Sequence, residues 1–297
     1  MTALCLGSVA MAQDAFWTPT TYRGAFPVTD NTPATDWTAG WSNFDPETTV
    51  YPTTITTVSA DITTNTTWSG VVKLMNKVYV KNNATLTIAP GTIIRGDKLT
   101  QGTLIITRGA KIIADGTVAN PIVFTSNQAP GARAGGDWGG IIILGKAPIN
   151  SLGGIHTLPF DLDPTLNHYG GQDSEDNSGV MKYVRIEYAG IALTPNNETN
   201  SLTMGGVGSG TTIDYVQVSY CGDDAFEWFG GTVNCKYLIA YKTQDDDFDT
   251  DYGYAGNVQF GIILRDSAIA DISKSEAFES DNDGKGSTLS PKTTAVF

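Results

Sequence analysis

The sequence predicts an all-β fold, a parallel β-helix solenoid, and three observations support that prediction. Strand-like segments recur at steps of 22 to 32 residues, and each is followed by a turn. Glycine, with 33 residues, and the many threonines and asparagines favour short strands and tight turns over helices. No long segment places apolar residues at helical spacing, so we expect helices to contribute little to the core.

The repeat becomes visible from residue 71. Residues 85–92 and 110–117 align at a step of 25 residues, and each segment reads as a strand that turns on a glycine. Three later strands share one phase, and they begin at Tyr183, Tyr215 and Tyr237. Because side chains alternate along a strand, the residues after these tyrosines should form an apolar ladder inside the solenoid: Val184, Val216 and Leu238. Residues 127–179 interrupt the repeat.

The sequence before the repeat divides into two parts. Residues 1–12 resemble the second half of a secretory signal peptide, because an apolar run ends in the small-x-small sequence at residues 10–12. The basic start of such a signal is missing, so we expect a truncated or misassigned beginning. This run is too short to span a membrane. The signal predicts export to the extracellular space or the outer cell surface.

Residues 13–65 carry Trp17, Trp37 and Trp41 among polar residues, without a period. We expect an irregular N-terminal segment that caps the solenoid, since an open end strand invites pairing with another chain. Residues 66–297 are predicted to form the β-helix. No closing segment is recognisable near residue 297, so we expect a C-terminal truncation.

Charge and cysteine content restrict the possible functions. The net charge of −13 argues against a nucleic-acid partner, because phosphate binding needs a basic surface. Two cysteines follow the signal segment, Cys221 and Cys235. If Tyr215 stacks on Tyr237, these cysteines lie roughly 26 Å apart along the strands, beyond bonding reach. We therefore expect two buried thiols rather than a disulfide.

An acidic motif with a central phenylalanine occurs three times, beginning at residues 223, 245 and 275, so the steps are 22 and then 30 residues. The copies are residues 223–227, 245–249 and 275–279. Neighbouring strands lie about 4.8 Å apart, so this register would place carboxylate over carboxylate. Like charges in that arrangement repel unless a cation, a proton or water intervenes.

Several strings resemble a known group of proteins. Residues 83–92, 135–140 and 222–231 resemble secreted right-handed β-helix proteins with the pectin-lyase-like fold, which are common in Bacteroidetes-type bacteria. Many of these proteins resemble a leptospiral surface lipoprotein or carry a domain for type IX secretion. The resemblance implies a right-handed solenoid and export, and it says little about activity. The sorting domain is not found in this chain.

Calcium is the first interpretation of the acidic columns, because hard oxygen ligands in close groups are what Ca²⁺ selects. Asp223 would stack on Asp245, Asp224 on Asp246 and Glu276, Glu227 on Asp249 and Glu279, and Asp251 on Asp281. The proposed metal ligands are therefore Asp223, Asp224, Glu227, Asp245, Asp246, Asp249, Asp251, Glu279 and Asp281. The alternative is a solvated acidic edge that aids solubility.

Catalysis is a second interpretation of the same residues. Aspartate pairs resemble one motif of polygalacturonase-type enzymes, although the other motifs of those enzymes are missing. A lyase or hydrolase acting on acidic glycans would use the following residues: Asp223, Asp224, Asp245 and Asp246, with Arg185 as a base. Whether the protein is an enzyme stays open at this point, and the sequence favours a non-catalytic role.

Aromatic residues beside the acids suggest a ligand surface. Trp228, Tyr252 and Tyr254 would suit stacking on a sugar if they are exposed, while burial is the favoured alternative. Phe226, Phe248 and Phe278 should form an internal stack. The leading function is therefore a secreted or cell-surface protein that adheres to or binds an extracellular polysaccharide or a host or cell-surface glycan. Calcium would stabilise its acidic columns.

Overall fold

The structure is a computed structural model that describes residues 15–27, 36–53, 55–194, 197–271 and 274–297. A 3₁₀ turn spans Leu152–Gly154. In chain order the strands are β1 (Thr56–Val58), β2 (Thr66–Trp68), β3 (Val71–Leu74), β4 (Lys77–Val80), β5 (Thr85–Ile88), β6 (Ile93–Gly96), β7 (Thr103–Ile106), β8 (Lys111–Asp115), β9 (Ile122–Ser126), β10 (Ile141–Leu144), β11 (His156–Thr157), β12 (His168–Tyr169), β13 (Gly179–Glu187), β14 (Ala192–Thr194), β15 (Asn197–Glu198), β16 (Leu202–Val207), β17 (Thr212–Ser219), β18 (Phe226–Gly231), β19 (Asn234–Tyr241), β20 (Phe248–Asp251), β21 (Val258–Leu264) and β22 (Phe278–Ser280).

These strands wind into a right-handed parallel β-helix, which confirms the predicted fold. A seven-stranded sheet has the order β22-β20-β18-β16-β10-β7-β4. An eleven-stranded sheet follows the path β1-β3-β6-β9-β13-β17-β19-β21, and a branch of β2, β5 and β8 joins it at β13. The first coil begins at Thr56 rather than at residue 66. Among the described residues, no helix has the length and apolar character needed to cross a membrane.

Strand β13 is long enough to pair with two consecutive strands of the preceding coil. Its first half pairs with β8 and its second half pairs with β9, and Tyr183 lies between the two halves. Tyr183 has a φ of 49°, and the residues at the same corner of later coils, Tyr215, Tyr237 and Phe260, have φ of 53°, 59° and 65°. This left-handed conformation bends the chain, and it is rare for aromatic residues. Their rings stack along the corner, with centroids 4.2 to 4.8 Å apart.

Apolar side chains fill the interior of the coils. Val184, Val216 and Leu238 pair in register and are fully buried, as the sequence predicts. Phe226 and Phe248 stack inside, whereas Phe278 is 50% exposed because it lies on the edge strand β22. Phe278 still lies against Phe248, with ring centroids 5.5 Å apart, so the expected column has three rings and only its last ring is exposed. Both cysteines, Cys221 and Cys235, are buried free thiols, as predicted.

The N-terminal segment packs along the side of the solenoid. We call its described residues, 15–27 and 36–53, the strap. Trp41 contacts the rings of Tyr183 and Tyr215 edge-on. Asn43 and Gln217 exchange two hydrogen bonds of 2.8 Å, and Thr18 and Gln259 exchange two of 2.9 Å. These contacts lie on the eleven-stranded sheet, so the segment predicted as an end cap covers a lateral face. The predicted signal segment, residues 1–12, lies outside the described residues.

A second cover lies over the seven-stranded sheet. Residues 146–177, here called the crossing loop, follow β10 and include the short strands β11 and β12. A second apolar cluster forms between the loop and the sheet, and it comprises Tyr79, Ile105, Ile142, Leu144, Ile149, Leu158, Phe160, Leu162, Tyr169, Ile191, Leu193 and Phe229. This cover corresponds to the predicted interruption of the repeat.

Candidate metal centre in the acidic columns

The acidic motifs occupy equivalent positions on successive coils. In the ladder of β18, β20 and β22, Glu227 pairs with Asp249, and Asp249 pairs with Glu279. The expected stacking of these three carboxylates is therefore confirmed. The aspartates at residues 223–224 and 245–246 lie in the turns that lead into β18 and β20.

One column of these acids is a hydrogen-bond ladder between coils. Oδ1 of Asp224 accepts the backbone N–H of Asp246 at 2.9 Å, and Oδ1 of Asp246 accepts the backbone N–H of Glu276 at 2.5 Å. Each bond occupies one carboxylate oxygen and stabilises its charge. The acids can be recognised in the sequence, but their hydrogen bonds to backbone amides of the next coil cannot.

Carboxylate oxygens of the acidic columns form two triads. In the first, Asp223, Asp224 and Asp245 each offer a carboxylate oxygen, and these atoms lie within 4.8 Å of one another. In the second, Asp224, Glu227 and Asp249 do the same. Asp224 belongs to both triads, so the two candidate cation positions are adjacent. A cation between such oxygens would bind ligands from two coils at once.

The triads carry unfavourable charge when all their carboxyls are ionised. Burial, and then repulsion from Asp245, raises the pKa of Asp223 to about 8. Burial raises the pKa of Asp249 to about 7, against the effect of a hydrogen bond with Glu227. Burial also raises the pKa of Asp224 and Glu227, with added repulsion from Asp223 and Asp249, respectively. Protons or a cation must therefore offset this charge at neutral pH.

In the described structure, basic side chains do not pair with four of the five triad acids. Arg265 donates to the carboxylate of Asp247 at 2.7 Å and to the backbone carbonyl of Asp245 at 2.8 Å, and Lys242 lies 3.4 Å from Asp266. Lys236 donates to Thr18 of the strap. Among the described residues, no ion pair includes Asp223, Asp224, Glu227 or Asp249.

Two neutral side chains lie near the second triad, and no pattern in the sequence predicts them there. The side-chain amide of Asn200 donates to Glu227, while its Oδ1 is buried without a hydrogen-bond partner in the described structure. The buried hydroxyl of Tyr169 also lacks a partner there. Burial raises the pKa of Tyr169, and the charges of Tyr252, Glu227 and Asp251 add to the shift. The Asn200 amide therefore acts on the second triad as a neutral donor that stabilises the charge of Glu227.

Four of the predicted ligands lie outside both triads. Asp246 uses one oxygen in the ladder. Asp251 is partly buried, and burial with repulsion from Asp281 and Asp283 raises its pKa to about 6. Glu279 and Asp281 are exposed on the last described coil. These residues extend the negative surface beyond the triads.

Of the aromatic residues considered for a ligand surface, Trp228 and Tyr254 are not exposed, and burial, the favoured alternative, is confirmed for both. Trp228 and Tyr254 are fully buried and stack on each other at 5.3 Å, and the Tyr254 hydroxyl donates to the carbonyl of Val233. Both side chains point inward from the solenoid wall, so they cannot contact a glycan. Tyr252 is only partly buried, and it lines a cavity of about 330 Å³ together with His156 of the crossing loop and Lys285.

Arg185 is also misplaced in the catalytic interpretation. It lies on the eleven-stranded sheet beneath the strap, where it donates to the carbonyl of Trp41 and contacts Glu187 at 3.3 Å. The acids at Glu227 and Asp249 belong to the seven-stranded sheet. The aspartates of the catalytic interpretation, at residues 223–224 and 245–246, lie in the turns that lead into strands of that sheet, so the prediction of Arg185 as a base beside them is wrong.

Comparison with known families agrees with this architecture. Residues 56–297 match the family described as "Pectate-lyase like beta helix domain". The chain belongs to this family. The match begins at β1, the first strand of this pectate-lyase-like β-helix domain. No curated protein and no solved structure matches the chain. Family membership establishes the fold, but the function of the site depends on its own residues.

Proposed function

We propose that this β-helix is an exported, non-catalytic glycan-binding protein of the extracellular space or cell surface, in which Ca²⁺ joins successive coils. The pair of carboxylate triads that share Asp224 supports this proposal most directly. In the described structure, no basic side chain forms an ion pair with Asp223, Asp224, Glu227 or Asp249. A divalent cation would convert the repulsion between these charges into attraction between coils.

The ligand set favours calcium over transition metals. All the triad ligands are carboxylates, and the triads contain no histidine or cysteine. Such hard oxygen ligands suit Ca²⁺, whereas Zn²⁺ and Cu²⁺ prefer histidine and cysteine. Calcium also accepts six to eight ligands in flexible geometry, so water and backbone carbonyls can complete the shell.

The cavity at Tyr252 supports glycan binding. An aromatic ring, the imidazole of His156 and the ammonium of Lys285 border the same space, together with Asp283 and Ser287. Sugar sites commonly combine an aromatic surface with a few polar groups. Asp251 precedes Tyr252 in the chain, so calcium at the acidic columns would also stiffen this wall of the cavity.

Binding to a glycan panel in calcium and in EDTA tests the proposal. The intact protein should bind at least one extracellular polysaccharide, and Tyr252→Ala should weaken binding about tenfold or more, since an aromatic contact is lost. Tyr22→Ala is the matched control, because Tyr22 lines a different cavity. Equal losses in both variants, or no binding to any glycan, would contradict glycan binding. Release of reducing ends or unsaturated products from polyuronates would instead support a hydrolase or lyase.

A further inference from the structure

A basic corner lies on the early coils, away from the acidic columns. Val80 pairs with Ile106, and Ile106 pairs with Ile143, so the residues after β4, β7 and β10 follow one another along the solenoid. Those turns carry Lys81, Arg108 and Lys146. Three successive coils therefore place cations at one corner of a protein whose net charge is −13.

Two of these cations have no partner among the described residues. Lys81 is engaged, because its ammonium lies 2.6 Å from a carboxylate oxygen of Asp61. The side chains of Arg108 and Lys146 form no ion pair or hydrogen bond with any residue that the structure describes. Nε of Arg108 is buried from solvent, so the guanidinium would donate to a ligand through its terminal N–H groups.

A cavity of about 300 Å³ opens beside Arg108. Its lining includes Asn82, Asn83 and Thr107 of the coils and His168 of the crossing loop. The asparagine amides and the imidazole can offer hydrogen-bond donors, as an oxyanion requires, whereas the Thr107 hydroxyl already donates to the carbonyl of Val80. The cavity is therefore a polar recess that contains an unpartnered guanidinium.

Gly109 holds this arrangement together. It has a φ of 89°, and a Cβ at this position would lie 2.5 Å from Oδ1 of Asn83 and 3.2 Å from Nζ of Lys146. Any larger residue would displace one of these groups. Glycine thus permits Lys146 and Asn83 to approach the chain directly beside Arg108.

We propose that Arg108 binds an oxyanion, a carboxylate or sulfate group, in this cavity, and that Lys146, which lies beside Gly109 outside the cavity lining, supplies a nearby positive charge. The planar guanidinium can donate two parallel hydrogen bonds to such a group, and the ammonium adds a point charge. The anion is either carried on a sugar acid or free in solution. The site uses neither the triads nor Tyr252, so it stands independently of calcium and of glycan binding at that residue.

Nuclear magnetic resonance of the arginine Nε–H groups tests this site on the intact chain. Glucuronate is the sugar-borne probe, glucose is its neutral match, and sodium sulfate is the free anion. The Arg108 signal, assigned by its loss in Arg108→Lys, should shift with an oxyanion and not with glucose. Lys146→Gln should weaken the binding about threefold to tenfold, and the exposed control Arg23→Gln should leave it unchanged.

The two anion sources give different results. A shift with glucuronate at lower concentration than with sulfate would identify a sugar acid, and the reverse order would identify a free anion. A shift with glucose of similar size, no shift with either anion, or equal weakening in Arg23→Gln and Lys146→Gln would overturn the oxyanion site.

Discussion

The carboxylate of Asp224 accepts the backbone N–H of Asp246 from the next coil at 2.9 Å. The same carboxylate contributes to both metal triads. Asp224 thus has two roles. Its hydrogen bond to Asp246 links two coils directly, and its place in the triads requires that its negative charge be neutralised. A substitution can separate these roles, because asparagine keeps an oxygen acceptor and loses the charge.

In the absence of calcium, Asp224→Asn should be at least as stable as the wild type. The variant keeps an acceptor for Asp246 and removes one buried negative charge from each triad. Asp224→Ala should be less stable than Asp224→Asn by about 1–3 kcal/mol, because it leaves the buried N–H unpaired. Urea unfolding in EDTA measures both differences. Equal stabilities of the two variants would show that the ladder bond contributes nothing.

Stability without calcium should fall as the pH rises from about 4 to about 8. Unfolded carboxyls titrate near pH 4, whereas burial raises the pKa of Asp251, Asp249 and Asp223 to about 6, 7 and 8. In this window the folded state binds more protons than the unfolded state, so deprotonation favours unfolding. Melting temperatures in EDTA at about pH 5.5 and about pH 8.5 measure the effect, and a higher value at the alkaline pH would contradict it.

Calcium should reduce that pH dependence. Because metal binding requires deprotonated ligands, Ca²⁺ should stabilise the protein more at about pH 8.5 than at about pH 5.5. The same melting experiment with added Ca²⁺ measures the difference. A larger calcium effect at the acidic pH would place the ion at groups other than the triads.

Phenylalanines at equivalent positions should differ in their effect on stability. Phe226→Ala should lower the free energy of unfolding by about 3–5 kcal/mol, because its ring is fully buried. Phe278→Ala should cost less than about 1.5 kcal/mol, since that ring is 50% exposed on the edge strand. Chemical denaturation of both variants tests the comparison. A similar cost in the two variants would mean that the last coil is covered in solution.

The strap should depend on Trp41. This indole is almost fully buried, and it contacts the rings of Tyr183 and Tyr215. Trp41→Ala should cost about 3–5 kcal/mol and should make the strap more sensitive to protease. The half-buried Trp17 offers a milder control, because its substitution removes less buried apolar surface. Unchanged cleavage of the strap in Trp41→Ala would contradict this role.

The sequence predicts the solenoid because its repeats are local and its register follows from period-2 alternation. The ladder of Val184, Val216 and Leu238 and the stacking of Glu227 on Asp249 are examples. The position of Trp228 was ambiguous, since an aromatic beside acids can face either way. Its burial depends on where the wall bends, which only the assembled coils determine.

Long-range contacts account for the other errors. The strap covers Arg185 through Trp41, which lies 144 residues earlier in the chain. Asn200 meets Glu227 across 27 residues, and no motif surrounds it. Neither contact has a period, so alternation and spacing could not predict that Arg185 is withdrawn or that Asn200 joins the site.

Thermal unfolding of the intact protein, first in EDTA and then in millimolar Ca²⁺, tests the central claim most directly. Calcium should raise the melting temperature by about 5 °C in a concentration-dependent manner, because a ligand of the folded state stabilises it. Asp224→Asn should abolish most of this rise, whereas Asp115→Asn, which removes an exposed charge outside the triads, should retain it. No rise in the wild type, or an equal rise in Asp224→Asn, would contradict a calcium site built on Asp224.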